Sequence, residues 1–200
     1  VTEDGGQQWR RVDTIAGVPH MSLVEDIIAS QHDPDVAYAV FDNHKKGDFQ
    51  PYVYRTDDRG KTWSSITGNL PTRGTAHTIA EDHLDPELLF VGTEFSVFAT
   101  QNGGKEWGKL GSGLPTISVR DLEIQRRESD LVVGTFGRGI YILDDYSPLR
   151  TKASALTEGE AHLFDVKETH LYIPRSRIGS QPKGNMGAQY YTAENPPFGA

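Results

Sequence analysis

The chain has 200 residues, no cysteine, 21 glycines, 11 prolines, 36% hydrophobic residues and a formal net charge of −8. The lack of cysteine excludes disulfides and thiolate metal sites. Scattered basic residues on an acidic chain argue against a nucleic-acid partner, and no apolar run is long enough for a membrane-spanning helix.

One short formula occurs three times in chain order: Thr2, Asp4, Gly6 and Trp9; then Thr56, Asp58, Gly60 and Trp63; then Thr100, Asn102, Gly104 and Trp107. Each copy lies between short apolar runs, the arrangement of a β-hairpin. Each residue type has a physical task in such a hairpin. The Asp or Asn side chain accepts hydrogen bonds from backbone N–H groups of its own loop. The glycine supplies a left-handed backbone position, and the tryptophan opens the next strand with a large packing surface. These residues are therefore read as structural, not catalytic.

The segments between the boxes also repeat. Gly68-Asn69-Leu70-Pro71 returns as Ser112-Gly113-Leu114-Pro115, and Leu89-Phe90-Val91-Gly92-Thr93 returns as Leu131-Val132-Val133-Gly134-Thr135. The pattern predicts strands over 24–30, 36–41, 51–56 and 62–66, then 75–81, 88–93, 96–100 and 106–110, then 118–125, 130–135 and 139–143. Four short strands per period of roughly 40–50 residues predict β-propeller blades, each an antiparallel sheet of strands A to D. Residues 1–149 are expected to form a partial propeller, 150–160 a linker, and 161–200 the start of a following β domain that is largely irregular or a disordered tail. Propellers close with about four to eight blades. Two full blades, one lone strand D and one three-stranded blade predict a piece of a longer protein, with the rest of its own propeller as a partner.

In such a blade the C–D hairpins, which carry the boxes, lie on one face, and the B–C and D–A loops lie on the other. The site is expected on the latter face. The eventful loop there is 42–50. Asp42, His44 and Asp48 read either as a carboxylate–imidazole cluster able to bind a ligand or cation, or as a solvated surface loop. Glu94 and Arg138 occupy matching B–C turns of adjacent blades, where they meet a charged sugar or peptide or form an interblade salt bridge. Glycoside hydrolysis usually uses two carboxylates flanking the bond. The candidates are Asp42, Glu81, Asp82, Glu94, Asp121 and Glu123, with Asp42 and Glu94 the choice for catalysis. Strand alternation sends Glu81 and Asp82 to opposite faces. No metal site and no cofactor motif is expected.

The boxes resemble the Asp-box, or bacterial neuraminidase repeat, of sialidases, xyloglucan-cleaving glycoside hydrolases, sortilin receptors and photosystem assembly factors. Three further stretches are similar to large secreted bacterial proteins with a sortilin-like propeller, which often carry the name glycosyl hydrolase. These are Phe41-Asp42-Asn43-His44 with Pro51-Tyr52; Thr78-Ile79-Ala80-Glu81-Asp82 through Val91-Gly92-Thr93-Glu94; and Val119-Arg120-Asp121-Leu122-Glu123-Ile124-Gln125 through Gly134-Thr135-Phe136-Gly137-Arg138-Gly139 to Leu149. The ending Asn195-Pro196-Pro197-Phe198-Gly199-Ala200 resembles the junction of that group with a β-sandwich. The resemblance implies an extracellular or periplasmic propeller acting as a scaffold for a glycan or a protein segment. Its alternative implication is a xyloglucanase- or sialidase-like hydrolase. The Phe-Arg-Ile-Pro-like segment of sialidases is absent.

Overall fold

A computed structural model describes residues 1–111, 113–151 and 163–164. The chain divides into two compact units, Val1–Ala161 and His162–Ala200. The expected linker from residue 152 onward and the expected following domain or tail at 161–200 lie outside the described residues, apart from Leu163 and Phe164.

The first unit holds three antiparallel sheets in chain order. The first sheet is β1 (Leu23–Ala29), β2 (Ala37–Asp42), β3 (Tyr52–Thr56) and β4 (Ser64–Ser65). The second is β5 (Ala76–Glu81), β6 (Leu89–Thr93), β7 (Val97–Thr100) and β8 (Gly108–Lys109). The third contains only β9 (Val119–Gln125), β10 (Asp130–Thr135) and β11 (Ile140–Leu143). Within each sheet every strand pairs with its sequence neighbour, a meander. The unit is a run of three β-propeller blades, as the repeat predicts.

The A, B and C strands agree with the predicted ranges to within a residue or two. The D strands are shorter than expected, because only two residue pairs join β3 to β4 and two join β7 to β8. The strand expected after Trp9 is not formed. The segment is closed instead by the reciprocal Val1 and Arg10 backbone bonds, both 2.8 Å.

Two apolar cores lie between the blades, and the alternation of each strand decides which core a side chain joins. Val40, Val53, Leu70, Ile79, Val91 and Trp107 fill the core between the first and second blades. Phe90, Val97, Leu122, Leu131, Val133 and Tyr146 fill the one between the second and third. Two adjacent carboxylates tie the layers together from opposite sides. Buried Glu81 reaches the first blade, accepting from the Ser30 hydroxyl at 2.8 Å, the Gln31 N–H at 2.7 Å and the Tyr38 hydroxyl at 3.0 Å. Asp82 reaches the other way. It accepts two bonds from Arg150, at 2.9 and 2.8 Å, and one from Tyr146 at 2.6 Å. Burial raises the Asp82 carboxyl, but the Arg150, Tyr146 and backbone donors outweigh it and hold the group well below the usual carboxylate range. The opposite facing of these two acids is as the alternation predicts, and both are consumed by packing between blades.

Candidate functional site

The three box loops share one hydrogen-bond scheme. In the second, the Asp58 carboxylate accepts from the Thr62 and Lys61 N–H groups at 2.8 and 2.9 Å and from the Thr56 hydroxyl at 2.8 Å. The Gly60 N–H donates to the Thr56 hydroxyl at 2.8 Å. In the first, Asp4 accepts from Gln8 N–H and the Thr2 hydroxyl, each at 2.9 Å, and Gly6 N–H donates to Thr2 at 2.9 Å. In the third, Asn102 accepts from Glu106 N–H at 3.0 Å and the Thr100 hydroxyl at 2.8 Å, with Gly104 N–H on Thr100 at 3.1 Å. These backbone and hydroxyl donors favour the ionised acid. They lower the Asp58 carboxyl to about 2, the Thr62 N–H being the largest cause, and they lower Asp4 as well. The acids are closed into their own turns by these bonds.

The opposite end of the blades is built differently. Each innermost strand carries one residue more than its partner at the same place, a β-bulge. In β1 the register slips between Val24 and Asp26, leaving Glu25 unpaired. In β5 it slips between Ala76 and Thr78, leaving His77, and in β9 between Val119 and Asp121, leaving Arg120. The repeated bulge brings one titratable side chain from each blade into a row. Arg120 Nη1 donates to His77 Nδ1 at 3.2 Å, and a Glu25 oxygen lies 4.0 Å from the same nitrogen. Because arginine can only donate, Nδ1 is the acceptor and the His77 proton sits on Nε2. That N–H meets Glu94 Oε2 at 2.8 Å. Glu94 also accepts from the Ser118 hydroxyl at 3.1 Å, and Arg120 Nη2 stands 3.5 Å away.

Around this row lies an open cleft of about 350 Å³, lined by His44, Phe49, Arg73, His77, Glu94 and Phe95, among others. The B–C loop of the first blade, the B–C turn of the second and the D–A connection between them supply its walls. His44 begins a one-turn 3-10 helix, His44–Lys46. Asp42 holds that turn in place: the His44 N–H donates to Asp42 Oδ1 at 2.7 Å, and the imidazole Nδ1 meets Oδ2. Asp42 is itself fully buried, while His44 is half exposed at the cleft. Gly74 has φ +133°, and a β-carbon there would lie 3.1 Å from the Phe95 ring, so the absent side chain makes room for that ring. Arg73 lies over Phe49, 5.8 Å from the ring centroid, and Arg120 over Phe136 at 5.6 Å. Both are at cation–π distance.

Asp42 and His44 form the carboxylate–imidazole pair that the sequence offered as one reading. Asp48 stands apart from it. It accepts from Tyr52 at 2.6 Å and Asn43 at 3.1 Å, and the Tyr52 bond is the main cause of its lowered carboxyl. Burial first, and Asp48 second, push the Tyr52 phenol up to about 12. Glu94 does not meet Arg138. Arg138 is exposed in a turn flanked by Gly137 and Gly139, both with positive φ, whereas Arg120 comes from the strand that packs on the second blade. Neither Glu25, His77 nor Arg120 was singled out from the sequence. The available signal was one extra residue in each A strand relative to its B strand, which period-2 reading treats as slack in the boundaries. Among the described residues no cluster of three or more His, Asp or Glu is placed to hold a metal, and no helix is long and apolar enough to cross a membrane.

No family model matches the chain. A curated relative is the Vacuolar protein sorting/targeting protein 10 of Verticillium alfalfae, 36% identical over 70 residues. That match covers 34% of this chain and 5% of the relative. Among solved structures, YCF48 bound to D1 peptide superposes with a TM-score of 0.52 at 18% identity, covering 72% of this chain and 43% of that one. The GH74 enzyme of Niastella koreensis gives 0.48 at 16% identity, covering 61% and 21%. The chain thus spans a small part of the curated relative and less than half of these structures. At such identities the YCF48 likeness concerns the fold, and it agrees with the β-propeller blades described above.

Proposed function

We propose that this chain is part of a secreted Asp-box propeller that serves as a binding scaffold. In this reading an acidic glycan or protein segment lies across the row of bulge residues, in the cleft between the B–C loops. The observation that carries it is the state of the two candidate catalytic carboxylates. Asp42 is buried and occupied by the turn at His44, and one Glu94 oxygen is shared among His77, Ser118 and Arg120. A hydrolytic pair needs an acid and a base free to face the scissile bond. A binding cleft needs fixed polar groups among apolar walls, which is what the ordered His77, Arg120 and Glu94 supply beside Phe49 and Phe95. Arg73 has only its stacked ring as a recorded partner among the described residues, so it is a cation free to meet an acidic group. YCF48, by its name, is bound to a peptide, and a protein segment is the favoured occupant.

The test is a glycan array and an acidic-peptide array probed with the full chain, beside an assay for released reducing sugars. Binding that is lost in Arg73→Ala and Arg120→Ala, with no sugar released, is the expected result. Turnover that disappears in Glu94→Gln while binding persists would establish the hydrolase instead.

A further inference from the structure

The cleft opposite the boxes holds two histidines whose protons are fixed in opposite ways. Buried His77 keeps its proton on Nε2, because Arg120 donates to its Nδ1. Asp42 sets the other arrangement at His44. One Asp42 oxygen accepts the His44 backbone N–H at 2.7 Å, and the second meets the imidazole Nδ1. An ionised carboxylate only accepts, so Nδ1 carries the proton and Nε2 is left with its lone pair. Asp42 is fully buried and His44 is half exposed. The far side of the imidazole, with Nε2, is therefore turned away from Asp42 and towards the cleft that His44 lines. No donor among the described residues meets that nitrogen.

Two aromatic rings and one cation share the cleft with this nitrogen. Phe49 and Phe95 are both exposed, and both line it. Both are held at one backbone position. The Gly74 N–H donates to the Phe49 carbonyl at 2.9 Å, and the Phe95 ring fills the space a side chain at Gly74 would take. Arg73, the residue before that glycine, lies over the Phe49 ring. The cleft of about 350 Å³ leaves room for one aromatic side chain, since a cavity of about 150 Å³ already accepts benzene. It thus presents together apolar ring faces, a lone-pair nitrogen and a guanidinium.

Resting on the scaffold reading above, we infer that the protein segment in this cleft presents a tyrosine beside an acidic residue, and that His44 is the residue that selects the tyrosine. The tyrosine ring covers Phe49 and Phe95, and its polar tip reaches the wet end of the site. The phenol O–H donates to His44 Nε2, and the neighbouring carboxylate meets Arg73. Phenylalanine fills the same space but leaves Nε2 without a donor. Serine supplies a donor but leaves the rings bare. Asp42 is the positioning residue. In Asp42→Asn the amide oxygen keeps the backbone N–H of His44, which cannot reverse its polarity, and the amide nitrogen faces Nδ1. The imidazole proton then moves to Nε2, which donates where it had accepted.

The probes are a fluorescein-labelled peptide, Gly-Ser-Asp-Tyr-Asp-Ser-Gly, and its twins with phenylalanine or O-methyltyrosine at the centre, titrated onto the full chain. The tyrosine peptide should bind roughly three- to tenfold tighter than either twin, the worth of one hydrogen bond. Arg73→Ala should weaken all three alike. His44→Ala should remove the preference while the acidic peptides still bind. In Asp42→Asn, nitrogen NMR should show the His44 proton on Nε2, and the O-methyltyrosine peptide, which accepts but cannot donate, should gain on the tyrosine one. Equal binding of the three peptides to the unaltered chain would overturn the inference and leave the scaffold reading standing, and so would a tyrosine preference that survives His44→Ala. Failure of every peptide to bind would overturn both.

Discussion

The first and third boxes have the same loop and opposite fates. In both, the Asp or Asn accepts from a backbone N–H four residues on, and the glycine N–H returns to the threonine. Yet Trp9 is 73% exposed and its Nε1–H turns back onto Gly6, while Trp107 is 5% exposed and bonds the blade before it. The hairpin is thus a local object, complete with its own residues. The tryptophan is a tertiary one, and its worth depends on a neighbouring sheet. Trp63 is intermediate: it is half-buried, and its Nε1–H has no acceptor among the described residues.

The comparison can be broken by mutation. Trp107→Ala should cost about 3–5 kcal/mol in denaturant unfolding, the range for emptying a buried aromatic site. Trp9→Ala should stay within about 0.5 kcal/mol, as for an exposed side chain. Equal losses would show that the indole stabilises its own loop rather than the blade junction.

The box glycines sharpen it further. Gly6 and Gly104 share φ +92°, but a β-carbon at Gly6 would lie 3.8 Å from Trp9, and one at Gly104 would lie 2.7 Å from Ile66. Gly6→Ala should cost about 1–2 kcal/mol from the left-handed backbone alone. Gly104→Ala should cost about 1–3 kcal/mol beyond that for the collision. The difference in midpoint between the two variants measures it.

Asn69→Ala should cost about 1–3 kcal/mol, because it leaves Trp107 N–H without its acceptor beside a packed core. The same change at Gln8, an exposed position in the first box, should be silent, and parallel urea melts separate the two.

The smallest effect concerns Asp58. Its folded carboxyl is lowered to about 2 from an ordinary 3.8. A group lowered on folding contributes stability above the unfolded value and loses it as pH falls through the folded one. The contribution should therefore be complete above about pH 4 and gone near pH 2. Asp58→Asn, the residue the third box already uses, should remove that part of the acid titration together with its contribution at neutral pH, so that the two chains converge in stability at low pH.

The blades were legible because their signals are local and repeated: turn glycines, box acids and alternating apolar runs in one order, three times. The end of the blades opposite the boxes was legible for the same reason, and a cleft lies there. The side chains that line it were not. A bulge is a slip between two strands, visible only once both are paired, so Glu25, His77 and Arg120 read as ordinary strand residues. Arg120 takes the place expected of Arg138 because a side chain's reach is set by the twist and packing of its strand, not by matching turns. Asp48 stands apart from the Asp42–His44 pair because its carboxylate is taken by the phenol four residues on, at 2.6 Å, and by Asn43.

The Asn69–Trp107 clamp also bears on how such a chain could lengthen or shorten over generations. Asn69 precedes Leu70-Pro71 and serves the following box, and Gly113 stands in its place before Leu114-Pro115, where no box follows within the described residues. A duplication cut just before β5 would separate the asparagine from its tryptophan. One cut from Asn69 through Leu110 would carry both. The inheritable unit of this repeat is therefore the four-stranded sheet together with the connection that precedes it.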